Sequence, residues 1–200
     1  MDLAGSLRPR FTPQKPLPRL LFVTDPQRTP DPEAIVARLP VGCGVIYRAF
    51  GAADALARAK ALRAIATGRG LILLIGADEA LAEACGADGV HLPEVLLDKA
   101  PALRNTHPDW ILTAAAHSLI PAECAGQAGC DAVLVSTVFA SASASASVPM
   151  GARAFTDLVQ AAPLPVYALG GVTPRTAPDL VRSGAQGFAM VEGLAQAVRT

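Results

Sequence analysis

The sequence predicts an α/β fold, a (β/α)8 TIM barrel of minimal size, on three observations. Short apolar runs recur near residues 20, 44, 71, 88, 110, 131, 165 and 186. Helix-forming stretches separate them, on average about one strand-helix unit per 25 residues. Four runs also share a grammar: "VGCGVIYR" (41–48), "CGADGVHL" (85–92), "AGCDAVLV" (128–135) and "SGAQGFAM" (183–190). In each, Gly near a helix end and one or two small residues lead into a short apolar strand. Alternation of strand and helix implies a parallel sheet, and eight units imply closure. An open doubly wound sheet needs no such regularity.

The elements follow in order. The first strand is "LLFVT" (20–24) and the second ends the 41–48 repeat. "LILLI" (71–75) has the unbroken apolar character of a strand covered on both faces. "DEALAEAC" (78–85) reads as a helix closed by Gly86, since Gly supplies the left-handed residue that ends helices. The fourth strand follows it, and "WILTAA" (110–115) is the fifth. "SLIPAECAGQA" (118–128) is helical and precedes the sixth strand. "PVYALG" (165–170) is the seventh, "TPRTAPDLVRS" (173–183) a further helix, and the 183–190 repeat holds the eighth. The ending, "EGLAQAVRT", leaves a final helix of about two turns.

Two hundred residues suit a single barrel domain over 19–200, preceded by an extended arm over 1–18 with four prolines and no continuous apolar core. Charged residues are 17% and the formal net charge is zero. That composition argues against a nucleic-acid footprint or a basic membrane patch. No apolar run approaches the ~20 residues that span a bilayer, and a cytoplasmic protein is expected. A homo-oligomer is left open, because barrels of this kind pair through helical faces or mouth loops. Cys43, Cys85, Cys124 and Cys130 form no C-x-x-C pair and have no His at zinc spacing, so they are expected as buried or part-buried free thiols.

In such barrels the active site lies at the C-terminal ends of the strands. Cys43 and Cys130 precede their strands and fall at the opposite end. The mouth is lined by Thr24, Asp25, Arg48, Gly76, His91, Leu92, the 115–118 segment with His117 and Ser118, Ser136, Thr137, Gly170, Gly171 and Glu192. The loop after strand six, "VFASASASASVP" (138–149), brings Ser141 and Ser143 over it. Bare backbone N–H groups at Gly170 and Gly171, with Val191 and Glu192 after strand eight, suit a phosphate cup; the glycines also read as simple tight turns. His117 and His91 can serve as general bases near neutral pH, or can be orienting or buried neutral histidines.

"LFVTD", "GADGVHLP", "HSL", "GCDAVLVSTVF" and "PVYALGGVTPRTAPDLVRSGAQGFAMVEGL" resemble the thiamine phosphate synthase and thiazole tautomerase family in order and spacing, over about residues 19–196. The resemblance implies a pocket for a phosphorylated heterocyclic small molecule, a thiazole or pyrimidine intermediate of thiamine synthesis. It also implies Mg2+, since the synthase expels magnesium-bound pyrophosphate, whose charge must be neutralised as it leaves.

The family draws that charge from a Gln-x-Arg-x-Lys run after strand two and an Asn-Asp after strand three. An Asp after the "HLG" turn and a Lys in the loop after strand six complete it. Here Arg48 is kept, while Ile46 and Phe50 replace the Gln and the Lys. Gly76-Ala77 replaces Asn-Asp, with Asp78 adjacent. Leu96 stands at the aspartate position, with Glu94 as a substitute, and Ala144 stands at the loop Lys. None of Lys15, Lys60 and Lys99, the only lysines, matches a family position. No metal ligand is therefore assigned. The tautomerase His before "VF" is Thr137. Glu192 replaces a family Ser and would repel phosphate unless turned outward or paired with Arg153 or Arg175.

Three functions are consistent with this. One is a thiamine phosphate synthase-like barrel with a degraded magnesium-pyrophosphate site. The second is a metal-independent tautomerase or isomerase using His117 with Arg48 and the hydroxyls of Ser118, Ser136 and Thr137. The third is a non-catalytic small-molecule-binding barrel.

Overall fold

The computed structural model of the chain describes residues 5–141, 143 and 147–197. Eight parallel strands close in sequence order. They are β1 Leu20–Val23, β2 Gly44–Tyr47, β3 Ile72–Gly76, β4 Gly89–Leu92, β5 Ile111–Ala116, β6 Ala132–Val135, β7 Val166–Ala168 and β8 Gly187–Met190. β8 pairs back onto β1, Leu21 facing Ala189. The (β/α)8 barrel expected from the repeats is therefore the fold.

The surrounding helices are α1 Pro32–Val36, α2 Ala55–Arg69, α3 Glu79–Cys85, α4 Ala100–Thr106, α5 Leu119–Gln127, α6 Gly151–Ala161 and α7 Glu192–Ala197. Helices α2 and α3 end on left-handed Gly70 and Gly86, φ 63° and 67°. The helix expected over 173–183 shrinks to one 3-10 turn, Ala177–Leu180. Pro174 and Pro178 lack the N–H donors that a longer helix would use. No helix among the described residues is long and apolar enough to cross a membrane.

The shared grammar has a packing cause. The four segments carrying it become the even strands, whose first residues are Gly44, Gly89, Ala132 and Gly187. The odd strands project Leu21, Ile111 and Tyr167 into the same end of the interior, with Ile72 packed against them. A Cβ on Gly44 would lie 2.6 Å from Leu21 Cδ2, and one on Gly187 would lie 2.7 Å from Tyr167 Cε1. One on Gly89 would meet the Ile111 carbonyl oxygen at 2.0 Å. Alternate strands thus supply bulk and space in turn, which is how a small barrel fills itself without voids. A second, larger apolar layer, including Phe22, Leu62, Leu73 and Phe155, joins the strands to the helices.

The described part of the arm lies across the N-terminal end of the barrel. Leu7 is buried. The Arg10 guanidinium donates to the carbonyls of Val159 and Ala162 at 3.1 and 2.7 Å. Lys15 donates to Pro108 and Trp110 carbonyls, and Gln186 donates to the Leu17 carbonyl at 3.1 Å. At the centre, the fully buried Tyr167 hydroxyl donates to the Pro18 carbonyl at 2.6 Å.

All four cysteines are free. Cys43, Cys85 and Cys130 are buried, as expected, and burial pushes the Cys43 thiol up to about 11 and that of Cys130 to about 12. Cys124 departs from that expectation and is exposed.

Tyr167→Phe removes one hydrogen bond but leaves the Pro18 carbonyl buried. It is expected to lower unfolding free energy by about 1–3 kcal/mol, read from urea denaturation.

Candidate functional site

β1 ends at Val23, and the next two residues organise one side of the barrel mouth. Buried Thr24 accepts from the Arg48 N–H through its hydroxyl at 2.9 Å, and its carbonyl accepts from Arg48 Nε at 2.7 Å. Asp25 Oδ1 accepts from the backbone N–H groups of Gln27 and Arg28 at 3.1 and 3.0 Å, an Asx turn. Its Oδ2 accepts from both guanidinium groups, Arg28 at 3.0 Å and Arg48 at 3.2 Å. Burial alone would raise this carboxyl, but hydrogen bonds and charge from Arg28 outweigh it, and the carboxyl is held below its usual range.

The route of Arg48 explains what happened to its neighbours. Its stem crosses Gly76, where a Cβ would lie 3.1 Å from Arg48 Cγ. The space that a side chain at position 76 would need is therefore taken by Arg48. Its guanidinium also stands 5.1 Å from the ring centroid of Phe50, a cation–π contact with an exposed residue at φ 49°. Asp78 is not free beside Gly76-Ala77: its carboxylate caps α3, accepting from the Leu81 N–H at 2.9 Å. Glu94 begins a 3-10 segment, Glu94–Lys99, and its Oε2 is buried with no hydrogen-bond partner. Ala144 lies outside the described residues.

A cavity of about 270 Å³ occupies the mouth between the β1–β2 side and the loops after β6, β7 and β8. It brings together Arg48, Ser136, Thr137, Ser141, Ser143, Gly170, Gly171, Val191 and Glu192 from the residues expected in the site. Thr24 and Asp25 adjoin it and line a neighbouring cleft; His91, His117 and Ser118 do not line it. Arg28, Thr173 and Gln196 line it and were not anticipated. The signal for Arg28 was local: an Asp-x-x-Arg turn directly after a strand end projects its cation over the mouth.

The glycines after β7 have a steric cause. Gly170 and Gly171 have φ of 90° and 63°. A Cβ on Gly171 would sit 2.4 Å from the Ala140 carbonyl oxygen, and one on Gly170 2.8 Å from Thr137 Cγ2. Close packing under the β6 loop thus requires both. It also leaves the backbone N–H groups of Gly170, Gly171 and Val172 at the cavity wall, donating to no acceptor among the described residues. Glu192 is exposed at the start of α7 and forms no ion pair with any described residue. Arg153, expected as its partner, instead stands 4.0 Å from Asp157 and is almost wholly exposed.

The two histidines differ. His117 is exposed, and its Nδ1 stands 2.7 Å from the Ser136 carbonyl. Nδ1 must therefore carry the proton, which leaves the Nε2 lone pair free. His91 points inside the barrel, Nδ1 3.0 Å from Thr113 Oγ1. Burial, aided by the Arg48 charge, pushes it down to about 4. It is a neutral, positioned imidazole at physiological pH, not the near-neutral base the sequence allowed.

The sequence pattern of the thiamine monophosphate synthase family matches residues 20–194. A thiamine-phosphate synthase of Xanthomonas campestris is 37% identical over 144 residues, covering 72% of this chain and 69% of that protein. The one from Methanoculleus marisnigri is 33% identical over 142 residues, 70% and 67% of the two chains. Among solved structures, a thiamine phosphate pyrophosphorylase from Pyrococcus furiosus superposes with a TM-score of 0.75 over 98% of this chain and 94% of its own, at 20% identity.

The state of His91 sets a pH dependence. An unfolded His takes up a proton near pH 6.5 and the folded one only near 4, so the unfolded state binds more protons between them. The stabilisation is complete above about pH 6.5 and is lost as pH falls toward 4, an effect of order 3 kcal/mol. His91→Gln is expected to flatten that part of the stability–pH curve, measured by denaturant unfolding from pH 4 to 7.

Proposed function

The chain belongs to the thiamine monophosphate synthase family, and we propose that it holds the phosphate monoester of a small heterocycle at the β7–β8 side of the mouth, without a working magnesium-diphosphate half-site. The observation that carries the first part is the row of N–H groups at Gly170, Gly171 and Val172 along the cavity, which donate to no acceptor among the described residues. Phosphate oxygens need several donors converging at one place, and backbone amides supply them without desolvating a charged side chain. Arg28 and Arg48 stand on the opposite wall. The thiamine biosynthetic role of the family makes a phosphorylated thiazole or pyrimidine the expected ligand.

The second part rests on the donors that the mouth offers. A magnesium-bound diphosphate needs converging carboxylates for the ion and a surplus of cations for about three negative charges. Asp25 is committed to two arginines and Asp78 to a helix cap. Glu94 does not line the cavity, and the positions after β2 and β4 carry Phe50 and Leu96. The residues present do not fit the ion. Arg28 and Arg48 are balanced by Asp25 and Glu192, so the rim offers about one monoester's worth of donors and no surplus positive charge.

A second reading is favoured by His117 alone. With Nδ1 tied to the Ser136 carbonyl at 2.7 Å, Nε2 is the acceptor nitrogen, as a metal-independent proton transfer requires. In this reading the carbon acid sits at the edge of the cavity beside Ser136, within reach of His117, and Nε2 takes its proton and returns it at a neighbouring atom. Loss of isomerisation in His117→Gln with unchanged ligand affinity supports it; unchanged turnover sinks it.

The main reading is tested by thermal shift and calorimetry with thiazole phosphate against pyrophosphate plus Mg2+. The monoester is expected to stabilise the protein by about 2.7 kcal/mol at a hundredfold excess over Kd, and pyrophosphate is expected to gain nothing from Mg2+. Glu192→Gln is expected to tighten the monoester several-fold by removing a repulsive charge. Rescue of a strain lacking thiamine phosphate synthase would overturn the claim about the half-site.

A further inference from the structure

Outside the barrel, Glu79 and Glu83 of α3 meet His107, the residue that ends α4. The two glutamates are four residues apart, so they share one helix face. His107 Nε2 lies 3.3 Å from an oxygen of each. That nitrogen is buried and makes no hydrogen bond, although two acceptors flank it. The ring is held in place by stacking on Trp110, centroids 3.6 Å apart and planes within 7°. Its backbone is pinned by the Leu103 carbonyl at 2.8 Å. The neighbouring arginines do not serve the carboxylates: Arg63 is paired with Asp88, and Arg104 with Asp131.

We propose that Glu79, Glu83 and His107 bind a first-row divalent transition-metal ion, zinc being the best match to the donors. Ligand atoms about 2.0–2.1 Å from a tetrahedral ion stand about 3.3 Å apart, the spacing between this nitrogen and each carboxylate. All three ligand atoms lie within 4.8 Å of one another. The glutamate side chains are about half exposed, 48% and 55%, and can close on an ion by a small rotation. One imidazole with two carboxylates suits zinc, cobalt or nickel; magnesium and calcium prefer oxygen throughout. Water fills the fourth position. Nε2 and the two carboxylate oxygens converge on one point, and a divalent cation there satisfies all three at once, where a proton on Nε2 would leave two carboxylates competing for one N–H. The site clamps α3 to α4 and is independent of the mouth.

The test is titration of chelator-treated protein with Zn2+ against a chromophoric competitor, repeated with Co2+ to read coordination from its visible spectrum. One saturable equivalent is expected, with a four-coordinate Co2+ spectrum. Glu79→Gln and Glu83→Gln should each weaken binding at least about tenfold, since losing even an outer hydrogen-bond partner costs that much. Both are surface changes that leave the fold intact, and circular dichroism checks this. Cys124→Ser should leave affinity unchanged. Absence of saturable binding, undiminished binding in the doubly substituted Glu79→Gln/Glu83→Gln protein, or loss of binding in Cys124→Ser would overturn the proposal.

Discussion

Everything in this molecule depends on filling one narrow interior. A sheet of eight parallel strands closes only if the inward side chains occupy the enclosed volume without gaps or overlap. Here the odd strands bring Leu21, Ile111 and Tyr167 to the N-terminal end and the even strands bring Gly44, Ala132 and Gly187. The residual space is stoppered by Pro18, whose ring approaches Gly44 and whose carbonyl accepts the Tyr167 hydroxyl's hydrogen bond. With one end packed solid, the inward positions at the other end are released from that duty. Thr113, His91 and Ser136 can be polar there because Leu134 and Leu74 already seal the middle.

The released end is governed by a carboxylate. Asp25 gathers two guanidinium groups, and in doing so decides how far either can reach. Arg48 is drawn sideways across Gly76 and Arg28 is folded back over its own turn. A cation so shared still attracts an anion, but with part of its field cancelled. Along β7 the opposite wall is uncharged backbone, two glycines packed close under Thr137 and Ala140, with the Glu192 carboxylate beyond them after β8. The cavity is thus polar without being strongly positive.

How much of this was readable depended on whether the determining contacts are local. Strand number, order and starting points were legible to within about a residue, because a doubly covered strand needs an unbroken apolar run and each loop before an even strand needs its glycine. Gly170 and Gly171 were legible as backbone at the barrel mouth, because a double glycine after a strand marks a turn that needs positive φ. Arg28 was passed over because its importance comes from Asp25 three residues earlier. Asp78 stands out in the sequence only as a carboxylate beside Gly76-Ala77, although an acidic residue before "EALAEAC" already has a sufficient local use as a cap. The neutrality of His91 comes from burial by other strands, which its own neighbours do not announce. Glu79 and Glu83 share α3, but His107 ends α4, and no spacing rule joins it to them.

The contacts that tie down residues 7–20 have another side. Arg10 reaches partners 149 and 152 positions away, Leu17 one 169 away, and β1 is completed by β8. On the ribosome, this segment emerges 149 to 169 residues before these partners. Leu7, Leu21 and Phe22 stay uncovered through that interval, and sealing of the ring is the closing act of biogenesis. For such a chain the time spent half-made, more than the strength of any single contact, sets its demand on chaperones.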